Sequence, residues 1–134
     1  MKRVIFVGMH NKPGAEEPLA PYTKTGKLLT RVVERIKKDY PNVKFLRTNL
    51  YDVDYYPDEH EKANLAEEWH ERIEVVPEDD IIVLLGADVH KNFRSRFGSL
   101  NLFYYPHPAS MRSHEQMDKF VRDLSLSIDA MIVL

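Results

Sequence analysis

The segment that most constrains the fold is an uninterrupted aliphatic run closed by a glycine, Ile81-Ile82-Val83-Leu84-Leu85-Gly86. It shows no alternation of apolar and polar residues, so both faces of the strand that it predicts must be covered. Arg3 to Gly8 has the same character, because it is a short β-branched run that also ends at a glycine. Strands buried on both faces are typical of parallel sheets between helices, and the pattern predicts an α/β fold.

The rest of the chain alternates helical and extended patterns. Apolar residues recur at helical spacing from Leu28 to Ile36 and from Leu65 to Ile73, and extended patterns cover Asn42 to Leu50 and Leu100 to Tyr105. A capping box, Ser113-His114-Glu115-Gln116, opens a last helix whose apolar face holds Met117, Phe120, Val121, Leu124 and Ile128. We therefore expect residues 1–134 to form a single domain, a three-layer αβα fold around a central four-stranded, mainly parallel sheet.

Composition excludes several classes of site and of protein. The 134 residues include no cysteine, which rules out disulfides and thiolate metal sites, and no other metal-ligand spacing occurs. No apolar run approaches the roughly 20 residues that a membrane-spanning helix needs. The formal net charge of -2 argues against a general nucleic-acid coating protein, although basic residues flank the first loop and follow the third strand, and Arg112 lies in the last loop. We expect an intracellular monomer that needs no metal or cofactor.

Two loops at predicted strand ends contain the candidate catalytic and binding residues. The first contains Gly8-Met9-His10-Asn11-Lys12-Pro13-Gly14, and the second contains Pro106-His107-Pro108-Ala109-Ser110-Met111-Arg112. The first lacks the spacing of a phosphate-binding loop. In the second, the flanking prolines restrict the backbone on both sides of His107 and so present its imidazole rigidly. Since ligands bind at the carboxyl edge of parallel sheets, we expect both loops to converge on one site.

These loops resemble the two signature loops of the uracil-DNA glycosylase superfamily, a Gly-x-x-Pro-Gly-like loop after strand one and a His-Pro-Ser-like loop after strand four. Leu84-Leu85-Gly86-Ala87 is similar to the family's third strand, and the resemblance extends from Val4 to about Val121. It implies the family's fold and a hydrolase that removes a damaged or deaminated base from DNA in base-excision repair. It also implies that Tyr22 stacks on the flipped-out base and that Asn49 pairs with its edge.

Cleavage of an N-glycosidic bond requires a water beneath the sugar and a hydrogen-bond donor beside the base oxygen. His107 suits the donor's position. Either Asn11 or His10 suits the water, because four residues separate Gly8 from Pro13 where the family has two. An asparagine can orient a water but cannot deprotonate it. The remaining expected contacts are to the base, from Tyr22, Asn49 and Met9, and to the DNA backbone, from Ser110, Arg112 and Lys12.

Other interpretations of the same residues stay open. Asn11 and Asn49 also suit a turn and a strand end, while Trp69 and the pair Tyr55-Tyr56 are expected to be packing residues. The expected partner is DNA, as a flipped-out base or a single strand. One alternative is a non-catalytic nucleobase- or nucleic-acid-binding module with the same fold. Another is a hydrolase of small nucleosides or nucleotides, which suits the net acidic charge and the short chain.

Overall fold

The computed structural model describes residues 2–10, 18–97, 102–106, 108 and 111–133. Within these ranges four strands and four helices alternate along the chain, which confirms the predicted α/β class. The strands are β1 (Arg3–Gly8), β2 (Lys44–Asn49), β3 (Asp80–Leu85) and β4 (Leu102–Tyr105). The helices are α1 (Lys24–Asp39), α2 (Glu59–Ile73), α3 (Ala87–Phe97) and α4 (His114–Ile132).

The described strands form one sheet in the order β2-β1-β3-β4, and every neighbouring pair is parallel. The mainly parallel sheet expected from the sequence is therefore wholly parallel in these strands. The chain leaves β1 toward β2 but leaves β3 toward β4, in the opposite direction. In open α/β sheets ligands commonly bind where two neighbouring strands diverge in this way, and the strand order puts that point at the carboxyl ends of β1 and β3.

Two apolar clusters cover the two faces of the sheet. Val4 and Phe6 of β1 face the helices α1 and α4, while Ile5 and Val7 face α2 and α3. Because successive side chains of a strand point to opposite faces, a strand covered on both sides must be apolar throughout. This explains the missing alternation in β1 and β3. The indole of Trp69 is fully buried in the α2 and α3 cluster, as expected for a packing residue.

Helix α3 was not predicted from the sequence. Its buried residues, Val89, Phe93 and Phe97, are spaced by four, and the Phe93 ring centroid lies 5.0 Å from that of Trp69. The remaining side chains are mostly polar, so the apolar stripe is too narrow and short to be read without its tertiary partner. The basic residues expected after the third strand lie on this helix, and they are Lys91, Arg94 and Arg96.

Capping boxes hold the starts of two helices. The Gln116 backbone N–H donates to Ser113 Oγ over 3.1 Å and the Ser113 N–H donates to Gln116 Oε1 over 3.3 Å, so the predicted capping box of α4 is confirmed. Asp58 and Glu61 form the equivalent box at α2. In a parallel sheet with helical crossovers, helices begin at the carboxyl edge of the strands. These caps therefore hold the backbone at the starts of α2 and α4 in a defined conformation at the carboxyl edge of the sheet.

Candidate functional site

Gly8 and Asn49 are paired at the carboxyl ends of β1 and β2. A Cβ atom built on Gly8 would lie 2.9 Å from Asn49 Oδ1, so the amide oxygen rests directly over the glycine. Only 2% of Asn49 is exposed. A side chain on residue 8 would displace this amide. Glycine is therefore required here on steric grounds, independently of its backbone angles. The amide is thus a fixed polar group at the start of the first loop.

Backbone pairing continues beyond the ends of these two strands. The Leu50 N–H donates to the Gly8 carbonyl over 2.8 Å, and the Tyr51 N–H donates to the Met9 carbonyl over 2.9 Å. The first residues of the loop are therefore tied to the segment after β2. The Met9 side chain packs against the apolar cluster on the α2 and α3 face, so it contributes to the core as well as bordering the site.

His10 is half-buried at the end of this paired segment. Its Nδ1 atom is buried, and it has no hydrogen-bond partner among the residues that the structure describes. The ring lies edge-to-face against Tyr56, with centroids 5.7 Å apart and an interplanar angle of 75°. A buried imidazole nitrogen requires a hydrogen-bond partner, which a ligand, a bound water or a residue outside the described ranges can supply.

A polar cluster of Tyr51, Asp88, Lys62 and Glu59 lies beside this segment. Asp88 Oδ1 accepts from the Tyr51 hydroxyl over 2.8 Å and Oδ2 accepts from Lys62 Nζ over 2.6 Å. Lys62 also donates to Glu59 Oε1 over 3.1 Å, although the lysine side chain is only 2% exposed. The cluster joins the loop after β2, the first turns of α2 and the first turn of α3, and so it holds together three segments at the carboxyl edge of the sheet.

The protonation states of this cluster follow from its contacts. Burial raises the pKa of the Tyr51 hydroxyl, and its hydrogen bond to Asp88 raises it further, so the phenol stays neutral. Burial by itself would lower the pKa of Lys62, but the hydrogen bonds to Asp88 and Glu59 outweigh that effect and raise it. Lys62 is therefore an ammonium and not a free amine nucleophile.

The start of α1 contacts the end of the second loop on the α1 and α4 face. Lys24 Nζ, in the first turn of α1, donates to the carbonyl oxygen of Met111, the residue before Arg112. Arg112 has an exposed side chain, and its backbone N–H donates to Gln116 Oε1 over 2.8 Å. Within the described residues this bond joins the start of α1 to the end of the second loop, and the convergence of the two loops stays a prediction.

Exposed aromatic rings border the same edge. Tyr22 precedes the N-cap of α1 with 62% of its surface exposed, and Tyr56 precedes the N-cap of α2 with 68% exposed. Tyr55 is 49% exposed. The expectation that Tyr55 and Tyr56 are packing residues is therefore wrong, because the helix that follows them begins only at Glu59 and leaves both rings outside the core.

Several predicted site residues lie outside the described residues, namely Asn11, Lys12, His107 and Ser110. Of the others, Met9, His10 and Asn49 lie together at the ends of β1 and β2, whereas Tyr22 and Arg112 directly precede the N-caps of α1 and α4. Sequence reasoning missed Lys62 and Asp88. Asp88 directly follows the Gly86-Ala87 turn at a strand end, which is a usable signal, but nothing in the sequence marks Lys62 as buried.

The turn after β3 lies at the same carboxyl edge of the sheet. Gly86 has a φ of 103°, a conformation that side-chain-bearing residues rarely adopt, and its N–H donates to the Tyr105 carbonyl over 2.9 Å. This bond links the end of β3 to the end of β4, where the second loop begins. Gly86 thus sets the direction in which the chain enters α3 and carries Asp88 toward Lys62.

The chain matches no protein-family model and no curated protein. The described side chains include no group of three or more histidine, cysteine, aspartate or glutamate residues placed to hold a metal ion. In the same part of the chain, helices long and apolar enough to cross a membrane are absent.

Proposed function

We propose that this protein is a uracil-DNA glycosylase-like hydrolase that cleaves the N-glycosidic bond of a deaminated or damaged base in DNA. The observation that carries the proposal is the buried Asn49 amide held over Gly8 at the start of the first loop. A side-chain amide offers an acceptor and a donor side by side, which complements the carbonyl and ring N–H of uracil but mispairs with cytosine. A fixed, desolvated amide of this kind can select a base.

The remaining roles follow the chemistry of the bond. Water adds its oxygen to C1′ while the C1′–N bond breaks, the electron pair of that bond leaves with the base, and a water proton is released. His10 or Asn11 is assigned to the water, and His107 to the base oxygen on which negative charge develops. Tyr22 stacks on the base beside Met9, while Lys12, Ser110 and Arg112 contact phosphates.

The state of Lys62 in the polar cluster determines whether this lysine can take part in cutting the DNA strand after the base is removed. A glycosylase that also cuts the strand needs an amine nucleophile to form an imine with the abasic sugar. Lys62 is held as an ammonium by two carboxylates and cannot serve in that way. Lys62 therefore does not contribute such a step, and comparison of strand breakage with and without alkali tests whether the product is an intact abasic site.

The cleavage experiment uses single- and double-stranded oligonucleotides that contain uracil, hypoxanthine or a T·G mismatch. We expect alkali-labile sites at the target base and, for His107→Ala, a rate at least about a hundredfold lower, as loss of a transition-state donor produces. Asn49→Ala should lose discrimination between uracil and cytosine. Asn42→Ala, an exposed asparagine in the loop before β2 at the other edge of the sheet, is the matched control. A wild-type rate in His107→Ala would contradict the mechanism.

A non-catalytic nucleic-acid-binding module is the second candidate. The exposed rings of Tyr22 and Tyr56 favour it, since aromatic platforms bind single strands without any chemistry. Tight binding of oligonucleotides with no cleavage of any substrate would select this function. Cleavage of free nucleosides with no action on oligonucleotides would instead indicate a small-nucleotide hydrolase.

A further inference from the structure

Tyr56 is an exposed ring that is nevertheless held in place. Lys62 Nζ lies 5.0 Å from its ring centroid. That ammonium is itself fixed, because Asp88 binds it over 2.6 Å and Glu59 over 3.1 Å at a position where the lysine side chain is only 2% exposed. A cation over an aromatic face attracts the ring, and the attraction is stronger where the cation is withdrawn from water. The Tyr56 ring is thus anchored to a rigid charge while 68% of the residue stays accessible.

A second contact places this ring at the candidate site. The imidazole of His10 meets it edge-to-face, with centroids 5.7 Å apart. Lys62 and His10 therefore define the position of Tyr56 from α2 and from the first loop respectively. Tyr55 differs although it is adjacent in sequence, because its hydroxyl donates to Glu61 over 2.6 Å at the surface of α2. Of these two tyrosines, Tyr56 is the one with a described ring contact to a residue of the first loop.

The exposed rings of Tyr22 and Tyr56 belong to segments that lead into helices on opposite faces of the sheet. Tyr22 precedes α1 and Tyr56 precedes α2, and these helices cover the two different apolar clusters. Within the proposed function, Tyr22 and Asn49 are assigned to the target base and His10 or Asn11 to its sugar. A ring beside His10 on the other face then meets the next nucleotide along the strand.

We propose that Tyr56 is a stacking platform for the nucleobase next to the target nucleotide, with Lys62 as its positioning residue. The inference rests on the proposed function for the location of the target but not on catalysis. Stacking of a base on an aromatic ring is tolerant of sequence, because every base has a π face. The site would accordingly bind two adjacent bases of a single strand, and only the target base would be selected by its identity.

The experiment measures oligonucleotide affinity by fluorescence anisotropy. One labelled single strand carries a uracil between two normal nucleotides, and a matched strand carries the same uracil between two abasic nucleotides. Tyr56→Ala should weaken binding of the first strand by about tenfold and leave binding of the second unchanged. Tyr56→Phe should bind like the wild type because it keeps the ring. Tyr55→Ala is the control for loss of an exposed tyrosine, and Lys62→Met should weaken binding of the first strand only.

Each outcome decides something different. Equal affinity of Tyr56→Ala and wild type for the first strand would overturn the inference while the cleavage assay still tests the glycosylase. A loss of the same size on both strands would also overturn it, since the effect would not depend on the neighbouring base. Loss on the first strand alone, without cleavage of any substrate, would support the platform and contradict the enzyme. Failure of the wild type to bind either strand would overturn the inference together with nucleic-acid recognition.

Discussion

Lys62 Nζ donates to Asp88 Oδ2 over 2.6 Å, and it does so from a lysine side chain that is only 2% exposed. A buried ammonium requires partners for its charge, since removal from water disfavours the charged form. Asp88 supplies one partner and, through its other oxygen, also accepts the Tyr51 hydroxyl. A single carboxylate thus connects α2, α3 and the loop after β2 behind the candidate site.

Lys62→Met should lower the free energy of unfolding by about 2–4 kcal/mol, because removal of one partner leaves a partly buried carboxylate without its counter-charge. Urea unfolding at neutral pH measures the change. Lys119→Met is the matched control, since Lys119 forms a pair of the same 2.6 Å length with Asp123 but is 68% exposed. Its removal should leave the urea midpoint close to that of the wild type. Equal losses in both variants would contradict the assignment of Lys62 as a buried charge.

Thr48→Val should cost about 1–3 kcal/mol of unfolding free energy. Thr48 Oγ1 accepts from the Trp69 indole N–H over 3.0 Å and donates to the Phe6 carbonyl over 2.9 Å, all within the core. The isosteric valine keeps the shape but leaves the indole N–H without an acceptor. Thr48→Ser, which keeps the hydroxyl, should lose less than Thr48→Val under the same chemical denaturation. The reverse order would mean that the methyl group matters more than the hydrogen bonds.

The stability contributed by Asp80 should depend on pH. Burial by itself would raise the pKa of this carboxyl, but hydrogen bonds from Arg3 and from the Val76 backbone outweigh it and hold the pKa below its usual value of 3.8. A depressed pKa in the folded state means that the stabilisation is complete above the unfolded pKa and is lost as the pH falls through the folded one.

Asp80→Asn should therefore be less stable than the wild type by about 1–3 kcal/mol at pH 7, as expected for loss of charged hydrogen bonds. Below about pH 4 the difference should shrink, because the wild-type carboxyl becomes protonated as well. Urea unfolding of both proteins at neutral and acidic pH gives the two differences. A difference that stays constant across this range would show that the charge of Asp80 contributes nothing.

The strands and most helices could be predicted from the sequence because their signals are local. β1 and β3 are apolar on both faces, and the capping box at Ser113 marks the start of α4 through residues three apart. The observed β2 covers only Lys44–Asn49 of the extended pattern from Asn42 to Leu50, and β4 is described from Leu102. Helix α3 could not be predicted, because its three buried residues form an apolar stripe that is stabilised by packing against Trp69 on another helix.

Some residues of the candidate site could likewise be predicted from local sequence signals, and others could not. The sequence indicates Asn49 and His10 as polar groups at strand ends, since strand ends can be located from local pattern. It does not indicate the exposed and anchored ring of Tyr56, which depends on a lysine in α2 and on a histidine far away along the chain.

By itself, then, the sequence determined the fold class, the strands that form the sheet interior and the loops that reach its carboxyl edge, because burial and capping act over a few residues. Only the tertiary structure decided that Lys62 is buried with Asp88, that the Asn49 amide rests over Gly8 and that Tyr56 stands beside His10. Those relationships join residues from separate elements, and the parallel order of the strands brings them to one edge.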